Sequence, residues 1–338
     1  MQIAIVGAGA IGGSIAAALD RAGHSVELAA RGENLAVIRQ QGIRLRGAWG
    51  EHVARVSANE TLTVRPELAL VCTKAQDARA AIEANADVLR GLPVVIVQNG
   101  LEALDTAEAA LPDATWMGAL ALYATSYLAP GEITVTTSGP TYVGAGVDAP
   151  SPAIRAATGV LAGAIPAEAI GNFRGAQWTK LIVNQVNAMP AITGLSAQQT
   201  LTHPLLNPVI TASMREAVRT GFARGIHYGK VQGLSNTLLR VFAAAPLRVG
   251  GALPRLMARR MGETPNPGST LQSIRRGQLT EIDYLNGAVV AEARAAGRTA
   301  AINQVLVDLV HGVERSGDFV TPEAVVAAVA AALSATAG

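Results

Sequence analysis

The sequence predicts an α/β protein, with an N-terminal domain built on a mostly parallel sheet and an all-α C-terminal domain. In the first half of the chain, short apolar runs alternate with helix-favouring segments, a pattern typical of parallel strands connected through helices. From about Gly171 onward the alternation stops and helical periodicity takes over. The length of 338 residues also exceeds the usual size of one domain. We therefore expect two domains, residues 1–170 and residues 171–338.

The composition is that of a globular protein. Hydrophobic residues make up 50% of the chain and charged residues 15%, which excludes extended disorder. The net charge is +2 and no run of Lys or Arg could follow a phosphate backbone, so nucleic acid is not an expected partner. Mean hydropathy is +0.30, but apolar stretches such as residues 324–333 are too short to span a membrane.

Cys72 is the single cysteine of the chain. It can form neither an internal disulfide nor a cysteine-rich zinc site, and such usage is typical of a reducing compartment. We therefore expect a cytoplasmic protein without a metal centre. Because Cys72 falls within an apolar run, we interpret it as a small buried hydrophobic residue rather than a nucleophile.

A glycine-rich turn follows the first predicted strand, residues 2–6, and opens a helix. Its glycines fit the G-x-G-x-x-G pattern of Rossmann-type dinucleotide-binding domains. The first glycine permits the turn, the second lets the backbone approach a pyrophosphate, and the third allows close packing of helix and strand. The helix N-terminus then offers amide donors to the phosphates. The turn predicts a cofactor site at Gly7, Ala8, Gly9, Ala10, Ile11 and Gly12.

Arg31 stands at the end of the second predicted strand, residues 24–29. An acidic residue near this point would accept hydrogen bonds from the ribose hydroxyls of NAD. A guanidinium instead offers a planar set of donors to the additional 2′-phosphate of NADP. We therefore predict NADP as the cofactor, with a solvated arginine as the alternative reading of Arg31.

Lys74 and Asn99 each follow a further predicted strand, residues 68–72 and 94–97. In open α/β sheets, ligands bind beyond the carboxyl ends of the strands. Both residues are therefore predicted near the cofactor or substrate. The alternatives are a lysine solvated at a helix start and an Asn-Gly turn at Asn99.

The next apolar segments suggest how the sheet ends. A strand is predicted at residues 116–121, and two more, at 131–137 and 141–144, are separated by a Ser-Gly-Pro turn. This spacing predicts a hairpin that finishes the sheet.

Lys180, Asn184 and Asn187 are spaced i, i+4 and i+7 within a predicted helix at residues 178–187. That spacing places them on one stripe, which is either a solvated face or a polar site beneath a cleft. Further helices are predicted at residues 209–223, 269–276 and 281–296. Residues 247–268, rich in Pro, Gly and Arg, are expected to form a solvated connection or, alternatively, a ligand lid.

Two of these helix starts carry polar residues. Ser269 and Gln272 match a capping box, and Thr280 is placed to cap a helix with Glu281 in its first turn. A capping role does not exclude contact with a substrate.

Taken together, the motifs resemble the ketopantoate reductases, also called 2-dehydropantoate 2-reductases. The resemblance spans nearly the whole chain in the family's order. Its pieces are the glycine turn, Thr73-Lys74-Ala75-Gln76, Gln98-Asn99-Gly100, Trp178-Thr179-Lys180-Leu181 with Asn184, Ser269-Thr270-Leu271-Gln272, and the segment from Thr280 to Gly287.

The resemblance implies NADPH-dependent reduction of ketopantoate to pantoate, a step toward pantothenate and coenzyme A, in a site between the two domains. By the same resemblance, Lys180 is the general acid and Glu281 holds the terminal hydroxyl of the substrate. The implied contacts to the 2-oxo acid come from Asn99, Asn184 and Ser269, with Asn187 near the position of a further family asparagine. Lys74 and Asn99 would line the nicotinamide side.

Two positions depart from the family pattern. Ser273 stands where an aspartate is common, and the second helix asparagine of the family lies one position beyond Asn187, where this chain has Ala188. The chain is also longer than compact members around residues 222–268. Another branched or aryl 2-oxo acid is therefore the alternative substrate, and a non-catalytic NADP(H)-binding sensor is the alternative outside enzymes. The apolar α domain is compatible with a homodimer.

Overall fold

A computed structural model describes residues 1–262 and 265–337 of the chain. The chain forms two compact units, Met1–Arg174 and Gly175–Gly338. All strands lie in the first unit, and the described part of the second unit is helical apart from one isolated bridge between Val231 and Leu234. The predicted α/β fold with an α-helical C-terminal half is thereby confirmed. No helix among the described residues is long and apolar enough to cross a membrane.

The first unit contains an eight-stranded sheet and a four-stranded sheet. Their strands are β1 (Gln2–Val6), β2 (Ser25–Ala29), β3 (Ile43–Gly47), β4 (His52–Ala54), β5 (Ser57–Asn59), β6 (Leu68–Val71), β7 (Pro93–Val97), β8 (Thr115–Ala121), β9 (Ala124–Ala129), β10 (Glu132–Thr137), β11 (Thr141–Gly144) and β12 (Ala167–Ala169). The helices of this unit are α1 (Ala10–Arg21), α2 (Gly32–Gln41), α3 (Ala78–Glu83), α4 (Ala86–Leu89), α5 (Ala103–Ala110) and α6 (Pro152–Ala162).

The large sheet has the strand order β12-β11-β8-β7-β6-β1-β2-β5, and every pair in it is parallel except β8 with β11. Alternate residues of one strand enter different cores: Ile3 and Ile5 face one apolar cluster, and Ala4 and Val6 face the other. Both faces are therefore covered, which explains why the central strands are continuous apolar runs.

The predicted hairpin at residues 131–144 is wrong. β10 pairs in parallel with β3 and antiparallel with β9 in the small sheet, whereas β11 joins the large sheet beside β8. The chain changes sheets at Pro140, whose carbonyl accepts from Leu122 N at 2.9 Å. A Cβ on Gly139 would lie 2.4 Å from the Leu122 carbonyl oxygen, so this passage is too close for a side chain. Alternating apolar residues indicate a half-buried strand but not its partner.

The helices from residue 173 onward build the second unit. They are α7 (Phe173–Asn184), α8 (Ala188–Thr193), α9 (Ala197–Thr202), α10 (Leu206–Ala223), α11 (Asn236–Ala244), α12 (Leu247–Gly250), α13 (Ala252–Arg260), α14 (Gly268–Arg275), α15 (Ile282–Ala295), α16 (Ala301–Ser316) and α17 (Pro322–Ala337). A short 3₁₀ turn, Gln185–Asn187, joins α7 to α8.

Residues 247–268, predicted as a connection, are largely helical. Pro246 precedes α12, and Pro254 lies in the first turn of α13, where its missing N–H has no intrahelical acceptor to lose. These prolines therefore begin helices instead of preventing them. Residues 263–264 of this segment lie outside the described residues.

A buried polar network stabilises the centre of the second unit. Ser213 donates to Asn303 Oδ1 at 2.8 Å, and Asn286 donates to the same oxygen at 2.9 Å. Ser213 also lies 3.3 Å from Gln185 Oε1 in the 3₁₀ turn. The carboxylate of Glu216 accepts from the backbone N–H groups of Ile302 and Asn303 at the start of α16. These bonds satisfy polar groups that would be expensive to bury alone.

Candidate active site

The glycine turn between β1 and α1 has one crowded and one open side. Gly7 has φ +104°, and a Cβ there would lie 2.9 Å from Thr73 N. A Cβ on Gly12 would lie 1.9 Å from the Gly7 carbonyl oxygen, which excludes any side chain without a shift of the backbone. Around Gly9, in contrast, no atom lies within 4 Å of a Cβ position. The first and third glycines therefore serve packing, and the second keeps a surface open.

The open side is suited to an anion. Gly9 is the exposed N-cap of α1, no side chain caps this helix, and its first turn contains no acidic residue. The first backbone N–H groups of α1 and its dipole are thus offered at the surface. Ala8 is buried, while Ala10 and Ile11 are partly exposed on the first turn. This arrangement fits the pyrophosphate of a dinucleotide.

Asn34 fixes the turn from outside the motif. Its side-chain amide donates to the Ala8 carbonyl at 2.9 Å and accepts from Gly131 N at 2.9 Å. Asn34 thereby connects the glycine turn to the start of β10. Sequence analysis missed this residue, because its two partners are distant along the chain.

Arg31 lies exposed at the N-cap of α2, two residues after β2 ends. The acidic residue within β2, Glu27, is almost fully buried and accepts from Thr63 N at 2.9 Å, Thr63 Oγ1 at 2.6 Å and Val64 N at 3.0 Å. Burial alone would raise the pKa of Glu27, but these bonds outweigh it and hold the pKa below its usual value. Glu27 is therefore committed to the fold and is not the acid that a ribose would require.

Lys74 and Asn99 follow the adjacent strands β6 and β7, and both are partly buried. The register aligns Val6 with Val71, and Val71 with Ile96, so the carboxyl ends of β1, β6 and β7 lie at one edge together with the glycine turn. Gln98 donates to the Thr73 carbonyl at 2.9 Å and holds the two loops to each other. Gly100 has φ +85°, so Asn99 also belongs to a tight turn.

Cys72 lies beneath this edge and is buried. Burial raises the pKa of its thiol to about 12, so the thiol stays protonated and unreactive at neutral pH.

In the second unit, Lys180 and Asn184 lie on α7, and Asn187 ends the 3₁₀ turn that follows. All three are partly exposed. Residues i and i+3 eclipse in a 3₁₀ helix, so Asn187 stays on the side of Asn184 although the α-helix has ended. Asn187 Oδ1 lies close to Gly268, at the start of α14: a Cβ added to this glycine would be 2.9 Å from that oxygen. The structure therefore brings Asn187 next to the residue that precedes Ser269.

Lys180 has an altered affinity for its proton. Burial lowers the pKa of its ammonium group to about 8, and the Glu281 carboxylate opposes this shift by favouring the charged form. Lys180 and Glu281, which are distant in the sequence, thus interact electrostatically in the folded unit. A lysine with a pKa near the working pH can both hold and release a proton.

The predicted capping box at Ser269 is wrong. α14 begins at Gly268 with Pro267 at the N-cap and no side-chain cap, so Ser269 lies inside the first turn and is exposed. The helix starts two residues earlier than the Ser-x-x-Gln spacing predicts, since that spacing would make Ser269 the N-cap. Gly268 has φ +68°, a value that favours glycine. Ser273 is buried and lies 3.3 Å from the Ser269 carbonyl oxygen.

Glu281 is the N-cap of α15 and is partly buried. The predicted cap at Thr280 is wrong by one residue, because the helix starts after Glu281. The Thr280 hydroxyl still accepts from Ile282 N at 3.2 Å, within the turn that precedes the helix. Thr280 N donates to Glu314 Oε1 at 2.8 Å. Sequence analysis missed Glu314, because it lies on a helix far along the chain.

Comparisons with known proteins identify the family of the chain. The family model "Ketopantoate reductase PanE/ApbA" matches residues 3–148, and the model of its C-terminal part matches residues 172–314. A 2-dehydropantoate 2-reductase of Pyrococcus abyssi is 26% identical in an alignment of 321 residues that covers 93% of this chain and 98% of that protein.

Solved structures share the fold. A ketopantoate reductase of the PanE/ApbA family from Ralstonia eutropha JMP134 has a TM-score of 0.77 at 29% identity and covers 93% of this chain and 99% of its own. D-mandelate dehydrogenase with NADH and anilino(oxo)acetate has a TM-score of 0.78 at 19% identity and covers 94% and 99%. The chain thus belongs to the ketopantoate reductase family and is an oxidoreductase of the kind that reduces a 2-oxo acid with a nicotinamide cofactor.

Proposed function

We propose that this protein reduces ketopantoate to pantoate with NADPH, a step in pantothenate and coenzyme A biosynthesis. The observation that carries the proposal is the electrostatic interaction of Lys180 with Glu281. Lys180, with a pKa of about 8, can donate a proton, and the Glu281 carboxylate can bind a hydroxyl. Ketopantoate has both matching groups, a ketone to be protonated and a terminal hydroxyl.

For the cofactor, the residues from Gly7 to Gly12 hold the pyrophosphate through backbone N–H groups. Arg31 binds the 2′-phosphate, and its exposed position after β2, with Glu27 bound elsewhere, supports NADP over NAD. Lys74 and Asn99, at the same sheet edge, line the nicotinamide side. When bound, NADPH supplies a hydride to the ketone carbon.

Lys180 donates the proton. As negative charge develops on the ketone oxygen, the ammonium group at Nζ stabilises it and then transfers a proton to it. At neutral pH a lysine with a pKa of about 8 is mostly protonated, yet it releases the proton more readily than an ordinary lysine. The reaction consumes one proton for each hydride.

The remaining residues hold the substrate. Glu281 accepts a hydrogen bond from the terminal hydroxyl, while Asn184, Asn187, Ser269 and Asn99 donate to the 2-oxo acid. Amide and hydroxyl donors suit a carboxylate and a ketone oxygen, since both accept hydrogen bonds. The contact of Asn187 with the start of α14 supports a shared role for Asn187 and Ser269.

The test is the steady-state rate of NADPH oxidation by purified protein with ketopantoate. We expect a kcat/KM within the ordinary enzyme range of about 10⁴–10⁸ M⁻¹s⁻¹. The matched control substrate is 2-oxo-3-methylbutanoate, which lacks the hydroxymethyl group and should react much more slowly. A background rate with ketopantoate would refute the substrate assignment, and tight NADPH binding without turnover of any oxo acid would favour a sensor.

A second candidate substrate is another branched or aryl 2-oxo acid. It is favoured by the helices α11 to α13, which occupy the region where the chain is longer than compact family members. A panel of oxo acids assayed side by side separates the two candidates. Preference for a substrate without a hydroxyl would also remove the role assigned to Glu281.

The proposal further places the enzyme in the cytoplasm as a homodimer acting on a small molecule. A reducing compartment suits the lone buried Cys72. Light scattering of the purified protein would measure the oligomeric state, and a monomeric mass at working concentration would contradict the dimer.

A further inference from the structure

Glu281 lies in a turn whose residues on both sides form hydrogen bonds to one other helix, α16. Thr280, on one side of it, donates its backbone N–H to Glu314 Oε1 at 2.8 Å. Asp283, two residues beyond it, lies with Oδ1 3.0 Å from His311 Nε2. Glu314 and His311 both belong to α16. The residues before and after Glu281 are thus fastened to neighbouring turns of the same helix.

The two α16 side chains also bind each other. His311 Nδ1 lies 2.6 Å from Glu314 Oε2, so one histidine connects both carboxylates. The Glu314 side chain is 8% exposed and that of His311 is 32% exposed. A charged carboxylate that is this well buried needs its full set of donors, and Thr280 and His311 supply them.

The charge states favour this arrangement. Burial would raise the pKa of Glu314, but hydrogen bonds from His311 and from the backbone and hydroxyl of Thr280 lower it, so the group is a carboxylate at neutral pH. Burial would lower the pKa of His311, but its bonds to Glu314 and Asp283 raise it. These bonds therefore favour the protonated form of His311, in which a cation lies between two carboxylates and each bond is stronger.

We propose that Glu314 and His311 are positioning residues for Glu281: they fix the first turn of α15 so that the Glu281 carboxylate stays where it meets the substrate hydroxyl and Lys180. The inference rests on the proposed role of Glu281 in substrate binding. Thr280 transmits the constraint to both sides, since its N–H is held by Glu314 and its hydroxyl accepts from Ile282 N.

Within the turn, the Glu281 carbonyl accepts from Tyr284 N at 3.0 Å and the Thr280 hydroxyl accepts from Ile282 N at 3.2 Å. The backbone of Glu281, with φ −98° and ψ 24°, is not yet helical, and its side chain does not cap α15. If Glu314 is lost, Thr280 N loses its acceptor and the position of Glu281 broadens. Substrate affinity then falls, while the chemistry at Lys180 continues in the complexes that do form.

The test compares KM and kcat in four variants of the full-length enzyme. Glu314→Ala should raise KM for ketopantoate about tenfold, with kcat within about threefold of the parent and NADPH affinity unchanged. Glu314→Gln should lie between, because its amide oxygen still accepts from Thr280 N. Glu292→Ala is the matched control, since it removes an ion pair with Arg224 at the other end of α15 and should leave KM unchanged. Glu281→Ala reports the substrate role itself.

The outcomes separate the two ideas. A raised KM in Glu281→Ala together with an unchanged KM in Glu314→Ala overturns the positioning role. An unchanged KM in Glu281→Ala instead refutes the role of Glu281 in the proposed function.

Hydrogen exchange at the backbone of residues 280–282 tests the anchoring without substrate. It should be faster in both Glu314 variants than in the parent, most of all in Glu314→Ala. Exchange at the parent rate in both variants overturns the inference, whether or not Glu314→Ala folds well enough for kinetics.

Discussion

The two units hold their candidate residues in different ways. In the first unit, the residues from Gly7 to Gly12 are contiguous, and Lys74 and Asn99 join them through the register of parallel strands. In the second unit, Lys180 and Glu281 are 101 residues apart in sequence, and they interact electrostatically because the chain folds. The candidate residues of the first unit therefore depend on backbone shape, and those of the second unit depend on charge. Substitutions in one unit or the other should therefore separate the effect of backbone shape from the effect of charge.

The largest effect is expected from Lys180→Ala. Loss of the proton donor should lower kcat by about 10²–10⁴-fold, since this is the usual contribution of general acid catalysis. NADPH affinity should change little, because the residues proposed to bind the cofactor lie in the first unit. The matched control is Lys230→Ala, which removes another of the three lysines, an exposed one. Near-normal turnover in Lys180→Ala would contradict the general-acid role.

Arg31→Ala should act in the first unit alone. Hydrogen bonds to charged groups contribute about 1.5–3 kcal/mol, so NADPH affinity should fall by about one to two orders of magnitude. NADH affinity should stay the same, because NADH has no 2′-phosphate. Fluorescence titration with both cofactors measures this, and an equal loss for both would remove Arg31 from the phosphate site.

Two glycine substitutions should distinguish packing from ligand contact within one turn. Gly12→Ala places a methyl group against the Gly7 carbonyl and should lower the free energy of unfolding by about 1–3 kcal/mol. Gly9→Ala meets no atom, so stability should be unchanged while NADPH affinity falls about tenfold. Urea denaturation and cofactor titration of both variants provide the measurements. Equal effects on stability would argue against the open surface at Gly9.

The smallest effect is a shift in a pH profile. If Lys180 acts as the proposed general acid, its protonated form is the active one, so kcat/KM should fall as the pH rises through about 8. Glu281→Gln removes the carboxylate that favours the ammonium form, so the pKa of Lys180 falls and the decline begins at lower pH. Rates between pH 6 and pH 10 would reveal it. An unchanged profile in the variant would mean that the two groups do not interact.

Sequence alone predicted where the glycine turn and the strand ends of the first unit lie, and the reason is physical. The glycine turn is a local backbone requirement, and strand ends share an edge whenever strands are parallel. The predicted hairpin at residues 131–144 was wrong, because strand pairing is not a local property of the sequence and the chain crosses between the two sheets at Gly139. The predicted start of α14 was wrong because the helix begins at Gly268, whose φ is positive, and not after an N-cap at Ser269. The roles of Asn34 and Glu314 were not predicted, because each side chain binds a partner that is far away in sequence.

The buried carboxylate of Glu27 makes the stability of the first unit depend on pH. Its folded pKa lies below the usual 4.5, so the stabilisation it provides is present above that value and is lost as the pH falls through the folded pKa. Protonation would weaken the bonds that tie β2 to Thr63 and Val64. Acid denaturation of the first unit should therefore begin at the strand that leads to Arg31, and buffers well above pH 4.5 are the safe choice for handling the enzyme.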